Sequence, residues 1–215
     1  MSNLAAAIEQ LRDADQKLNE SAPQPFPLPI SGLEAVVAGS LLALDDGDWW
    51  VPGLRERVGA VLREAPIERI IDGLSGAKPY RIAPPTPSPA LRALHAVGLA
   101  LATPSACTLV HLGVGSAADG AWFEALNTAA LTKANLIFLV AVHPLEGGSP
   151  IPQQLASGPA AIAEGVGLTA SVIDGNDVTA VHTAVRKARK AGGPHVIEAR
   201  LNPTEDVLSR AQQQA

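Results

Sequence analysis

The sequence predicts an α/β fold, a three-layer sandwich on a mostly parallel sheet, and three observations point that way. Four apolar runs, CTLVHLG, LIFLVAV, TASVID and PHVIEARL, alternate with helical patterns in the second half of the 215-residue chain. The runs are apolar nearly throughout instead of at every second position, as expected of strands covered on both faces. Aromatic residues make up only 3% of the chain while alanine is abundant, which suits helices packed closely on a sheet.

The elements follow in order. Residues 1–20 form an amphipathic helix with Leu4, Ile8, Leu11 and Leu18 on one stripe. Asp15 interrupts that stripe, which argues against a long coiled coil; folding back on the body and docking on a partner both stay open. Residues 21–29 (SAPQPFPLP) are a proline-rich linker, residues 30–202 the α/β domain and residues 203–215 a tail. Three short helices open the domain. The first begins at Ser31 with Glu34 three residues on, a capping-box pattern. A turn, DDGDWWVPG, leads to LRERVGAVLRE and then to PIERIIDGLSG, which starts on proline and ends on glycine. A second proline cluster, APPTPSP (Ala83 to Pro89), precedes the helix PALRALHAVGLALA. Between the strands lie DGAWFEALNTAALTK, a short SGPAAIAEGVG, and GNDVTAVHTAVRKARKAGG. TASVID has the weakest β-propensity of the four runs.

Composition excludes several classes. Apolar residues make up 47% and charged residues 17%, so the chain is globular. A formal charge of −5 argues against nucleic acid, whose phosphates need a basic face. The run RKARK (Arg186 to Lys190) falls in the last turns of a helix, where cations favour the dipole. Cys107 is the single cysteine, so no internal disulfide forms; preceding a strand, it reads as a small core residue. The N-terminal pattern has neither a basic leader nor a continuous apolar run, and a cytoplasmic protein without membrane contact is the expectation.

The candidate chemistry lies in TLVHLGVGSAADGAWFEALN, a strand, a glycine turn and a helix that opens on an acid. A dinucleotide fingerprint would use Gly113, Gly115 and Ala118, but the next strand ends on His143 and the first acid after it is Glu146, so the ribose contact is missing. A hydrolase elbow needs glycines framing Ser116 at both sides, and they are absent; Ser116 reads as a cap or a local hydrogen-bonder.

A third reading comes from resemblance. From Gly113 to Lys133, GVGSAADGAWFEALNTAALTK resembles the cofactor motif of the alpha subunit of thiamine-diphosphate-dependent 2-oxo acid dehydrogenases, the pyruvate and branched-chain enzymes. Gly113, Gly115, Gly120, Glu124, Ala125, Leu126, Asn127, Ala129 and Ala130 match in register. DGNDVTAVHTAVRKARKAGGPHVIEA resembles the family's DGND and GPxxIEA segments, and GLEAVVAGSLLALDDGDWWVPGLRER its upstream segment. The resemblance implies a thiamine-diphosphate-binding-domain-like fold and a cofactor held between this chain and a beta-like subunit.

The departures fall on the chemistry. The family's two magnesium ligands match Val114 and His143; valine offers no oxygen, and imidazole suits magnesium poorly. Of the tyrosine and arginine that contact the diphosphate, matching Leu54 and Arg55, only Arg55 remains, and the loop histidine matches Arg57. The cofactor-binding positions that persist are Arg55, Gly113 and Gly115; none of the residues is expected to be catalytic or to hold a metal. A non-catalytic alpha-like component is therefore expected, binding a beta-like subunit or scaffolding the complex, or forming a homo-oligomer. The alternative is an active alpha subunit that anchors thiamine diphosphate and Mg²⁺ atypically.

Overall fold

A computed structural model of the chain describes residues 2–21, 29–71, 78–84, 86, 88–146, 149–150, 153–202 and 205–214. Its centre is a five-stranded sheet with every neighbouring pair parallel. The strands are β1 (Trp49–Val51), β2 (Thr108–Gly113), β3 (Leu136–Val142), β6 (Thr169–Asp174) and β7 (His195–Arg200), in the spatial order β1-β2-β3-β7-β6. The short β4 (Leu145–Glu146) and β5 (Ser149–Pro150) pair antiparallel on their own.

Alternation along the buried strands divides the core in two. Leu109, Ile137, Leu139, Ala141 and Ile197 face one side, and Val110, Leu112, Leu136, Phe138 and Val140 the other. The first side is covered by α1 (Ser2–Ser21), α2 (Glu34–Leu42), α7 (Val178–Ala191) and α8 (Val207–Gln213). The second is covered by α4 (Leu91–Ala102), α5 (Gly120–Thr132) and α6 (Pro159–Gly165). Helices therefore lie on both faces of a parallel sheet, the three-layer sandwich that the apolar runs predicted. The run with the weakest propensity, TASVID, forms the edge strand β6, whose side chains are half-buried or exposed. An edge strand is half-solvated, so it need not be apolar throughout.

The N-terminal stripe folds inward. Ile8, Leu11 and Leu18 are fully buried against α2 and the body, and Asp15, on the same stripe, accepts a hydrogen bond from the Ile30 backbone at 3.4 Å. Residues 205–214 also pack: α8 places Val207 and Ala211 in the same core, and Arg210 pairs with Asp174, Asp177 and Glu205.

Three local expectations are corrected. WWV is not part of a turn but the edge strand β1: Trp49 N donates to Cys107 O and Ala83 N to Trp50 O. Aromatic and β-branched residues favour a strand even over three positions, and the flanking DDGD and PG hide so short a run. The capping box does not form. Leu33 precedes the helix without a side-chain cap, and Glu34, its first residue, accepts from Gly32 N at 2.7 Å and from Arg12 of α1 at 3.1 Å. A cation brought by a distant helix has claimed that carboxylate. Third, LRERVGAVLRE becomes a 3-10 helix over Glu56–Arg63, not an α-helix. The third opening helix is short, α3 (Ile67–Ile71), and the glycines of DGLSG lie outside the described residues. Cys107 is buried as expected, and burial pushes its thiol up to about 12, so it is inert at neutral pH. The cations of RKARK do more than face a dipole: Arg186 and Arg189 reach Asp45 and Asp48.

Candidate functional site

In an open parallel sheet, ligands gather beyond the carboxyl ends of the strands. A cleft of about 170 Å³ lies there, bordered by Gly113 at the end of β2 and by Ala141 and His143 at the end of β3. Its other wall comes from the stretch after β1, including Gly53, Leu54, Arg55 and Glu56, and from Arg92 on α4. A larger open groove of about 430 Å³ runs along α1 past Glu9, Asp13 and Lys17, and is not at the strand ends.

The glycine turn is tighter than a strand passing straight into a helix. After Gly113 the chain makes a 3-10 turn over Val114–Ala118, and α5 starts only at Gly120. Its cap is Asp119, whose carboxylate accepts from Ala121 N at 2.8 Å, while Ser116 O accepts from Asp119 N. Ser116 is thus not the helix cap; it is buried and borders the cleft. Val114 is 1% exposed and does not line the cleft. Gly115 does not line it either, so of the three expected positions the structure brings Arg55 and Gly113 to the cleft.

The family dehydrogenase E1 component matches residues 3–201. The chain belongs to the dehydrogenase E1 component family. It is 31% identical over 194 residues to the 3-methyl-2-oxobutanoate dehydrogenase subunit alpha of Mycobacterium tuberculosis, covering 81% of this chain and 53% of that protein. It is 30% identical over 217 residues to the 2-oxoisovalerate dehydrogenase subunit alpha of Bacillus subtilis, covering 86% and 66%. To the pyruvate dehydrogenase E1 component subunit alpha of Staphylococcus aureus it is 29% identical over 203 residues, covering 84% and 53%. This E1 chain thus spans between about half and two thirds of the length of these relatives.

The donors around the cleft can now be weighed against the magnesium and diphosphate that the family resemblance implies. The position of the first metal ligand holds the hydrocarbon of Val114, and the second holds the imidazole of His143. Among the described residues, no group of three or more His, Cys, Asp or Glu side chains is placed to hold a metal ion. Arg55, at the position expected to contact the diphosphate, turns to the main chain: its Nε donates to Pro29 O at 3.1 Å and its Nη2 to Ser31 O at 2.8 Å. A hard cation would find no carboxylate at either ligand position, and the residues there do not fit the family's magnesium site.

Two cleft residues escaped the sequence reading, Glu56 and Arg92, which are 7% and 5% exposed. Arg92 Nη1 donates to His111 O at 2.9 Å, anchoring α4 to β2. Burial lowers the Arg92 guanidinium from its ordinary value, and the charge of Glu56 opposes that shift. The lone arginine within the apolar helix PALRALHAVGLALA was the available signal.

The outer face of α5 differs from its inner one. Trp122, Ala125, Leu126 and Ala129 are buried, whereas Phe123, Glu124, Asn127 and Leu131 are exposed, Leu131 at 76%. The family-matching Glu124 and Asn127 therefore lie on the exposed face of α5. Among the described residues, no helix is long and apolar enough to cross a membrane.

Proposed function

We propose that this chain is a non-catalytic alpha-subunit-like component of a 2-oxo acid dehydrogenase system, acting by binding a beta-like subunit or scaffolding the complex. The observation that carries the reading is the placement of Val114: a buried hydrocarbon at the family's metal-ligand position, beside a cleft whose family-matching Arg55 bonds backbone carbonyls. A diphosphate in that cleft would lack the cation that offsets its charge, which is costly away from water. The outward face of α5 supports the partner half of the reading, since Phe123 and Leu131 leave apolar surface next to the matched Glu124 and Asn127. The relatives carry the word alpha in their names, and a beta-like subunit is the partner this chain would meet through that face.

One observation favours the alternative, an active alpha subunit with atypical cofactor anchoring: the cleft still exists at the strand ends, with Gly113 and Ser116 on its wall. In that reading thiamine diphosphate and Mg²⁺ would be held without the usual aspartate, the cofactor supplying the carbanion chemistry.

Affinity capture of the chain from its native host tests the proposal, with mass spectrometry of what co-purifies. A beta-type dehydrogenase subunit in stoichiometric amount is the expected result, and its loss on Leu131→Glu would place it on α5. A homo-oligomer alone would contradict the partner assignment.

A further inference from the structure

Glu56 and Arg92 are the most deeply buried charges on the cleft wall, and both reach the space over Gly53. A Cβ on Gly53 would lie 2.1 Å from Glu56 Oε2 and 2.7 Å from Arg92 Nη1. Glycine at residue 53 leaves the ends of both side chains this space without displacement. Arg92 is held by its bond to His111 O, and among the described residues its Nε has no hydrogen-bond partner. A guanidinium this far from water needs a counter-charge close by. In a cleft built for diphosphate, the ligand brings that charge; here a carboxylate of the chain is already beside it.

We propose that Glu56 is a built-in anion, which serves as the counter-charge of Arg92 in place of an incoming diphosphate and repels phosphates from the cleft. This rests on the reading that the chain does not hold the cofactor, and it names a second cause besides the missing metal ligand. Like charges in a confined, partly desolvated site disfavour each other strongly. Removing the carboxylate while keeping the guanidinium should turn the cleft into an anion site.

The test titrates inorganic diphosphate, with a chelator present, into the full-length protein and into its Glu56→Gln variant, followed by calorimetry and by melting temperature. The wild-type protein should show no saturable binding at millimolar diphosphate. Glu56→Gln should bind it, with an affinity gain of at least about tenfold and a higher melting temperature when the anion is present. The double variant Glu56→Gln/Arg92→Met should lose that gain, which a merely structural role of Glu56 would not produce. A folded Glu56→Gln protein indifferent to diphosphate overturns the proposal and leaves the cofactor reading standing. Binding by the wild type as tight as by the variant also overturns it, whereas wild-type binding of thiamine diphosphate with Mg²⁺ would overturn the cofactor reading itself. If Glu56→Gln does not fold, the smaller Glu56→Ser is read by the same outcomes.

Discussion

Asn202 N donates to Asn176 Oδ1 at 2.6 Å, and Asn176 Nδ2 returns a hydrogen bond to Asn202 O at 3.1 Å. This reciprocal pair ties the turn after β6 to the exit of β7. Gly175 N adds a bond to Arg200 O at 2.7 Å, and a Cβ on Gly175 would fall 2.9 Å from that oxygen. Asp177 then caps α7 by accepting from Thr179 N and Ala180 N. The DGND motif that carried much of the family resemblance is thus a structural joint, with each of its last three residues bonded to a neighbouring backbone.

Replacing Asn176 by Ala should therefore cost stability and leave the cleft untouched. Asn176 is 1% exposed and bonds both the backbone N–H and the backbone C=O of Asn202, so its removal takes away two hydrogen bonds at this joint. A loss of about 2–3 kcal/mol is expected in urea unfolding; a change under about 0.5 kcal/mol would mean that water replaces the side chain at no cost.

Asp48 is the second joint. Its Oδ1 accepts from Cys107 N at 2.9 Å and its Oδ2 from Asp45 N at 2.9 Å, and the carboxylate also receives Arg189 of α7. It is 2% exposed, so Asp48→Ala would strand two backbone donors and leave Arg189 with Asp45 alone of its two carboxylates. Chemical denaturation should register a loss of about 3 kcal/mol, clearly larger than for the same change at the exposed Asp45, whose ion pairs water screens.

The sequence made the sheet legible because buried parallel strands are apolar on both faces, as in LIFLVAV, and because Asp119, Pro159 and Asp177 mark the starts of α5, α6 and α7. It concealed what depends on distant partners. Arg12 draws Glu34 out of its capping role, and β1 is recognisable only once Thr108 and Ile82 lie beside it. At the site, glycine spacing located the turn. Two charges of the cleft wall, Glu56 and Arg92, stand 36 positions apart in the chain and share that wall only through the fold.

His111 predicts a pH dependence. Burial, with the charge of Arg92 adding to it, pushes its imidazole from 6.5 down to about 3, and its Nε2 lies 2.9 Å from Ser40 Oγ. The unfolded chain takes up a proton near pH 6.5, while the folded chain does so only near pH 3. Stability is complete above the upper value and falls as pH drops through the interval, by about 1.4 kcal/mol per pH unit. Urea melts between roughly pH 6.5 and pH 5, above the main carboxylate range, should show this slope, reduced by one proton in His111→Gln. Identical slopes in the two proteins would contradict the buried neutral imidazole.

Val114→Asp alone should not restore turnover. The side chain at residue 114 is 1% exposed, so the new carboxylate enters a buried place, and Arg55, Leu54 and His143 stay as they are. A melting temperature well below the wild type, with no decarboxylation of 2-oxo acids in the presence of a beta-type subunit, is the expected pair of results. Activity in that single variant would show that the other departures matter little.

The most direct test of the central claim is a calorimetric titration of thiamine diphosphate and Mg²⁺ into the full chain, alone and with a beta-type subunit added. No saturable heat is expected in either case. Micromolar binding in the mixture would contradict it, because the cofactor would then be held beside Val114 without the oxygen ligand this chain lacks.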